Sequence, residues 1–273
     1  LIPIADVEDP RICAYRAIRE RDLATRHEGR PGLFVAEGEV VLRVLLSPRA
    51  RLRPVSILVS ESRLASLRDV LPVGEAAPPV YVASPALLSE IAGFPMHRGI
   101  LALGARLEGI ETGSLLPAGP SLVLVLAGLA NHDNVGGAFR NAAAFGADAV
   151  LLDSESCDPL YRKSIRVSVG AALTVPFARG GTAEELIGLL VGAGYTPFAL
   201  SPAGREEIGE VAWPERTALV VGAEGPGLPA ALIARLRSVR IAMAAGFDSL
   251  NVAAAAAIAL HAASVSRRST QRH

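Results

Sequence analysis

The run Leu122-Val123-Leu124-Val125-Leu126-Ala127, with Asn134-Val135-Gly136-Gly137-Ala138-Phe139-Arg140-Asn141 close behind it, decides how this chain folds. Six consecutive apolar residues without polar alternation suit a strand buried on both faces, as in parallel sheets covered by helices. The glycines that follow let a backbone turn sharply and offer N–H groups to a ligand at a helix start. Residues 136–145 then carry a helical pattern. By itself this turn reads equally well as a plain connection, and its glycine spacing fails the G-x-G-x-x-G pattern of dinucleotide folds.

Downstream the same β-then-α rhythm repeats. Strands are expected at 149–152, 196–200, 218–221 and 239–242. Thr182 and Glu185 have the spacing of a capping box for a helix reaching Ala193, and a last helix should run over 249–265, with Ser249 well suited to cap it. Together these predict an open, doubly wound α/β sheet whose ligand sits beyond the carboxyl ends of the strands.

Upstream, residues 108–120 hold three glycines and two prolines among few large apolar side chains, which reads as a linker. It separates a first domain over 1–107 from a second over 121–273. The first domain alternates too: helices at 12–24, 40–46 and 63–71, and strands at 33–36, 55–60 and 80–83. Ser84 followed by Pro85 opens a further helix through Ala92. This reads as a small α/β sandwich.

With 273 residues, 51% of them hydrophobic, the chain is globular and long enough for two domains. Lys+Arg 27 against Asp+Glu 27 leaves no net charge, so any contact with a polyanion must come from local patches. Lys163 is the single lysine; the remaining basic side chains are arginines, whose planar forks suit phosphate, although a compositional bias of the genome explains the preference as well. Cys13 and Cys157 show no metal-ligand spacing, so neither a disulfide scaffold nor a metal site is expected. Asp6, Glu8 and Asp9 near the start argue against a secretory leader, and no apolar run is long enough for a bilayer. The expected location is the cytoplasm.

Two more motifs follow strands. Gly222-Ala223-Glu224-Gly225-Pro226-Gly227-Leu228 sets one carboxylate among three glycines and a proline, which fixes an unusual backbone path. Ile241-Ala242-Met243 precedes Ser249-Leu250-Asn251-Val252 and a run of alanines, with an asparagine that is a poor helix former and a useful ligand. The three motifs together, over residues 121–265, resemble the SpoU (TrmH-like) family of RNA ribose 2′-O-methyltransferases in the SPOUT superfamily. Phe34-Val35-Ala36-Glu37-Gly38 and His97-Arg98-Gly99-Ile100-Leu101-Ala102 resemble the small substrate-binding domain of many members. Ala242 stands where the family usually has proline, and Ala223 where asparagine is common. The first implies a looser cofactor loop and the second one fewer side-chain hydrogen-bonding group.

The resemblance implies a trefoil knot made by the segments around 222–228 and 241–252. It implies S-adenosylmethionine as cofactor, held near Leu200, Gly222, Gly225, Ile241, Met243 and Leu250. It also implies a homodimer, for which the small residues of 253–263 would permit close packing, and no metal. Arg140 is the residue it places nearest the acceptor hydroxyl, with Asn134, Glu224, Ser249 and Asn251 positioning it, the ribose or the cofactor. A guanidinium has a pKa above about 12 and is a poor general base, so Arg140 is read as a phosphate clamp or a polariser of the hydroxyl. The RNA, ribosomal or transfer, is expected to dock on the first domain through Arg49, Arg51, Arg53 and Arg98, residues that an ordinary solvated basic face would also explain. The rival readings are a non-catalytic RNA-binding relative of the same fold and a dinucleotide-binding α/β enzyme built on the Gly136-Gly137 turn.

Overall fold

The computed structural model describes residues 1–25, 31–107 and 109–270, with side chains through 267. Glu108, the first residue of the expected linker, and residues 271–273 of the expected second domain lie outside the described residues. The chain divides into two compact units, Leu1–Glu108 with Leu160–Thr174, and Gly109–Pro159 with Val175–His273.

The first unit contains β1 (Ile2–Pro3), α1 (Glu20–Ala24), β2 (Leu33–Glu37), α2 (Glu39–Leu45), β3 (Arg53–Ser60), α3 (Leu64–Leu67), β4 (Val80–Ala83), α4 (Pro85–Ala92) and β5 (Ile100–Ala105). Its sheet has the order β1-β4-β3-β5-β2. β4 runs parallel to both its neighbours and β5 antiparallel to both of its own. One face buries Val35, Leu58, Leu101 and Leu103 against Ile12, Leu88 and Ile91. Gly104 is required by β2, because a Cβ there would lie 2.1 Å from the Phe34 ring. Ser84 caps α4 by accepting from Leu87 N–H, and the helix ends at Gly93 in the left-handed region, as the Ser-Pro pair predicts.

Two expected helices are shorter than the sequence suggests. Over 12–24, a 3-10 turn at Pro10–Tyr15 gives way to α1 only at Glu20, with Ala17 at φ 43 between them. Asp9 caps that turn, while Ile12 and Tyr15 are drawn into the core, where the Tyr15 hydroxyl meets Ser56 Oγ at 2.8 Å. Tertiary burial overrides the charged helical pattern there. Over 63–71 the helix is a single turn, α3, after a 3-10 turn at Glu61–Arg63. The sheet also includes β1 and β5, which lie outside the strands expected from the sequence.

The second unit holds β6 (Ser121–Leu126), α5 (His132–Phe145) and β7 (Ala149–Leu152). Leu160–Thr174, which carries α6 (Arg162–Val167), then groups with the first unit, although the sequence places all of 121–273 together. Within that unit Ile165 and Leu173 are buried, Leu173 C=O accepts from Arg51 N–H at 2.9 Å, and the Arg162 guanidinium stacks over Phe94 at 4.5 Å. No change of composition at 160 or 174 announces this. β8 (Phe177–Arg179), α7 (Ala183–Gly192), β9 (Thr196–Leu200), β10 (Glu206–Glu207), β11 (Arg216–Val221), α8 (Ala230–Arg235), β12 (Arg237–Arg240) and α9 (Val252–Thr270) complete the second unit.

Its seven-stranded sheet has the order β10-β12-β9-β11-β6-β7-β8, with every pairing parallel. β6 lies inside the sheet between β11 and β7 with all six of its residues buried, which is why 122–126 read as an unbroken apolar run. The capping box on α7 forms as its residues predict, with Thr182 Oγ1 accepting from Glu185 N–H and Glu185 Oε2 from Thr182 N–H. α5 begins four residues earlier than the pattern over 136–145 indicates, capped by the Asn131 side chain. α9 packs on α5 at close range, since a Cβ on Gly137 would lie 2.8 Å from Ala253 Cβ. Asn141 Nδ2 donates to Ala253 C=O at 2.7 Å, and Phe145 meets His261 edge-on. Among the described residues no helix is long and apolar enough to cross a membrane.

Candidate functional site

Beyond the carboxyl ends of β9, β11 and β12 lies a cleft of about 420 Å³ within the second unit. Leu200, Val221 and Val239, at the ends of those strands, form its floor, as expected for an open parallel sheet. Gly222, Gly225, Ile241, Met243 and Leu250 line it, together with Glu224, Ser249 and Asn251. The lining thus combines aliphatic walls with peptide groups and a few polar side chains.

The 222–228 loop is folded tightly on itself. A Cβ on Gly222 would lie 2.4 Å from both Gly227 C and Leu228 N, and Gly227 N–H donates to Ala223 C=O at 3.0 Å. Gly225 and Gly227 have φ of 84 and 66, where a side chain would be strained. This backbone carries Glu224 to the rim.

Asn251 joins the three motifs. Its Oδ1 accepts from the N–H groups of Ala253 and Ala254 at 2.9 and 3.2 Å, capping α9. The cap of the last helix is therefore Asn251 and not Ser249, and the helix starts three residues later than expected. Those two N–H groups fix which end of the amide is oxygen, so Nδ2 points the other way. It donates to Asn134 Oδ1 at 2.9 Å and to Glu224 Oε1 at 3.3 Å. Asn134 is 5% exposed on the first turn of α5, and its carbonyl would be costly to leave unmet. Ser249 is exposed and its hydroxyl donates to Asp248 at 3.3 Å.

The segment between β6 and α5 is anchored from beneath by a buried carboxylate. Asp153, 6% exposed, accepts from Gly128 N–H at 3.0 and 2.9 Å and from both Ser156 N–H and Oγ–H. The Ser156 hydroxyl oxygen in turn accepts from Leu129 N–H. The Cys157 thiol donates to Ala130 C=O, and burial pushes its pKa up. No sequence motif marks Asp153 or Ser156. Ser201 and Pro202 also line the cleft, and a Ser-Pro pair straight after a strand is a turn signal visible in the sequence.

Arg140 is not in the cleft. It follows Asn134 by six residues on α5, about 120° around the helix from it, and its side chain is exposed. Nothing pairs with it among the described residues.

The four arginines of the first unit do not form one patch. Arg49, Arg51 and Arg53 lie exposed at or just before the start of β3, which pairs with the end of β5. Arg98 precedes the start of β5, where Gly99 C=O accepts from Ser60 N–H at the other end of β3. Roughly 20 Å of strand separates the two ends. Arg98 also lies 3.8 Å from Glu37 Oε1, so its charge is partly answered. Among the described residues no cluster of His, Cys, Asp or Glu could hold a metal ion.

A parallel sheet whose carboxyl edge is closed by a glycine-rich hairpin and an asparagine-capped helix defines an α/β ligand-binding domain with its site at the strand ends. The chain belongs to the SpoU rRNA Methylase family, which residues 121–261 match. It is 39% identical over 265 residues to an uncharacterized tRNA/rRNA methyltransferase of Mycobacterium tuberculosis, covering 94% of this chain and 90% of that protein. It is 30% identical to the 23S rRNA (guanosine-2′-O-)-methyltransferase of Ralstonia nicotianae, covering 71% of this chain and 80% of that one. The crystal structure of an RNA 2′-O ribose methyltransferase superposes with a TM-score of 0.74 at 25% identity, covering 98% of this chain and all of that one. An AdoMet-bound rRNA methyltransferase from Sinorhizobium meliloti shares the fold, with a TM-score of 0.76 at 23% identity and 96% of each chain covered.

Proposed function

We propose that this protein transfers a methyl group from S-adenosylmethionine to a ribose 2′-hydroxyl of structured RNA, ribosomal or transfer. The observation that carries the reading is the hydrogen-bonded meeting of Asn134, Glu224 and Asn251, one residue from each motif, at the rim of a single cleft. The names of the relatives support it: two are tRNA/rRNA or 23S rRNA methyltransferases, and one of these is a ribose methyltransferase by name.

The cleft suits the cofactor on its own chemistry. Leu200, Ile241, Met243 and Leu250 offer apolar faces to a purine, and the peptide groups beside Gly222 and Gly225 can meet its edge without interference from side chains. When bound, S-adenosylmethionine supplies a methyl on a sulfonium, activated for displacement without a metal. The protein then has to orient the acceptor and manage one proton. Glu224 and Ser249 hold hydroxyls at the rim, and Asn251 keeps Glu224 and Asn134 in register. Of the two roles expected for Arg140, phosphate clamp or polariser of the hydroxyl, its place outside the cleft favours the clamp, reached by RNA lying across the exposed face of α5.

The reading extends to the rest of the chain. The first unit docks RNA, Arg49, Arg51 and Arg53 contacting one stretch of backbone and Arg98 a separate one. The segment 241–252 threads the loop at 222–228 to make a trefoil knot. Two copies pair in the cytoplasm through α9, whose exposed stripe of Ala254, Ile258, His261 and Val265 is largely apolar.

The test is incubation with labelled S-adenosylmethionine and RNA from cells lacking the gene, followed by nucleoside mass spectrometry. A 2′-O-methylnucleoside is expected. A base-methylated product would overturn the ribose assignment, and absence of any RNA product would overturn the transfer itself. Arg140→Ala should lower turnover by about 100-fold while cofactor binding by calorimetry stays unchanged.

A further inference from the structure

The rim of the cleft carries one feature that cofactor binding does not use. Phe247 lies in the loop between Met243 and Ser249, both of which line the cleft, yet it is not among the lining residues. Its side chain is 75% exposed, whereas Phe34, Phe139 and Phe198 are fully buried. The loop beneath it is a closed turn: Phe247 N–H donates to Ala244 C=O at 3.2 Å, with Gly246 at φ 87. The ring therefore projects from a hydrogen-bonded turn.

We propose that Phe247 is a stacking platform for an unpaired nucleobase of the RNA, the target nucleotide's own base or its immediate neighbour. The proposal rests on the RNA-methylation reading above. An acceptor hydroxyl brought to Ser249 and Asn251 carries its base, or the next one, past residues 244–248. Sequence-specific RNA recognition relies on such splayed-out bases, which stack on aromatic side chains. The ring's surroundings favour a base over another protein. Of its neighbours in the chain, Ala244, Ala245, Gly246, Asp248 and Ser249 carry little apolar area and Leu250, 44% exposed, is the one large hydrophobic, which falls short of the contiguous apolar core that protein interfaces need. The Asp248 carboxylate repels phosphate, so the nucleic-acid group that meets the ring is a base. The same carboxylate can accept a hydrogen bond from a base amino group, as acidic side chains do from cytosine.

The experiment compares Phe247→Ala, Phe247→Leu and Phe247→Trp in the full chain, using a hairpin RNA with 2-aminopurine in its loop as binding probe. Leucine keeps the apolar area and removes the π face; tryptophan keeps both. Affinity for the hairpin should fall by about tenfold to a hundredfold in the alanine and leucine variants and be retained with tryptophan, accompanied by quenching of 2-aminopurine. Cofactor affinity and sedimentation should match the wild type in all three. Wild-type affinity in the leucine variant, or a changed oligomeric state in the alanine variant, would overturn the proposal; the second result would assign the ring to a contact between copies. The two readings fail separately. If wild-type protein makes no 2′-O-methylnucleoside but the alanine and leucine variants still lose hairpin affinity, methylation fails and the platform stands. Normal product with unchanged hairpin affinity in those variants sinks the platform alone.

Discussion

Asn251 has two roles whose loss can be measured apart. Asn251→Ala removes a helix cap, worth about 1 kcal/mol, and leaves the buried Asn134 carbonyl unmet, worth about 1–3 kcal/mol more. A fall in Tm of several degrees is expected by calorimetry. Asn251→Asp keeps the cap and sets a carboxylate against Asn134 Oδ1 and Glu224 Oε1, so it should retain most of the helix stability while disturbing the rim. Measured activity should fall in both variants. A second residue-level test concerns Asp9, where the Arg11 side chain, 2.5 Å away, holds the carboxyl down to about 2 from 3.8. A depressed carboxyl pKa contributes stability that is full above the unfolded value of 3.8 and is lost as pH falls through about 2. Asp9→Asn should therefore lower Tm at pH 6 by a small amount, because solvent screens an exposed pair, with the difference shrinking below pH 3.8 and closing below about pH 2. The thiols differ as well: burial raises the Cys157 pKa and Cys13 is exposed. Iodoacetamide at neutral pH should label Cys13 first, with Cys157 slower by about tenfold, read by peptide mass spectrometry.

At the scale of elements, the 222–228 hairpin is the least tolerant part of the site. Gly222→Ala would place a methyl group inside the opposing backbone at Gly227 and Leu228. The loop has to open, at a cost of about 1–3 kcal/mol, and affinity for S-adenosylmethionine should drop by about tenfold or more in titration calorimetry, whereas a similar change at exposed Gly188, which nothing crowds, should leave it intact. Elements whose identity depends on local chemistry were legible in the sequence. The Ser84-Pro85 start of α4, the capping box of α7 and the apolar run of β6 all follow from side chains acting on their own backbone or from burial on both faces. The start of α5 was less legible, because its cap, Asn131, lies five residues ahead of the Gly136-Gly137 pair where the helical pattern begins.

At the scale of the whole molecule, Leu160–Thr174 is counted with the first unit, tied there by Arg162 to Glu20 and Glu37 and by Leu173 to Arg51. Gly170 has φ 82, strained for any other residue, and a Cβ there would crowd the Val44 side chain at 3.0 Å. A fragment of residues 1–108 should consequently be less stable than the same fragment joined to residues 160–174 through a glycine-rich linker, by a Tm difference of several degrees in circular dichroism. Equal melting of the two would show that the excursion contributes nothing to that unit.

The sequence alone determined the parallel α/β character of the second unit, the positions of its glycine-rich loops and the family, because burial on both faces, backbone freedom and cap chemistry are written locally. Only the tertiary structure decided that Asn251, not Ser249, caps the last helix, that Arg98 stands apart from Arg49, Arg51 and Arg53, and that Arg140 lies outside the cleft. Those outcomes depend on which side chains distant strands and helices bring within hydrogen-bond reach, a matter of three-dimensional packing that no local pattern encodes.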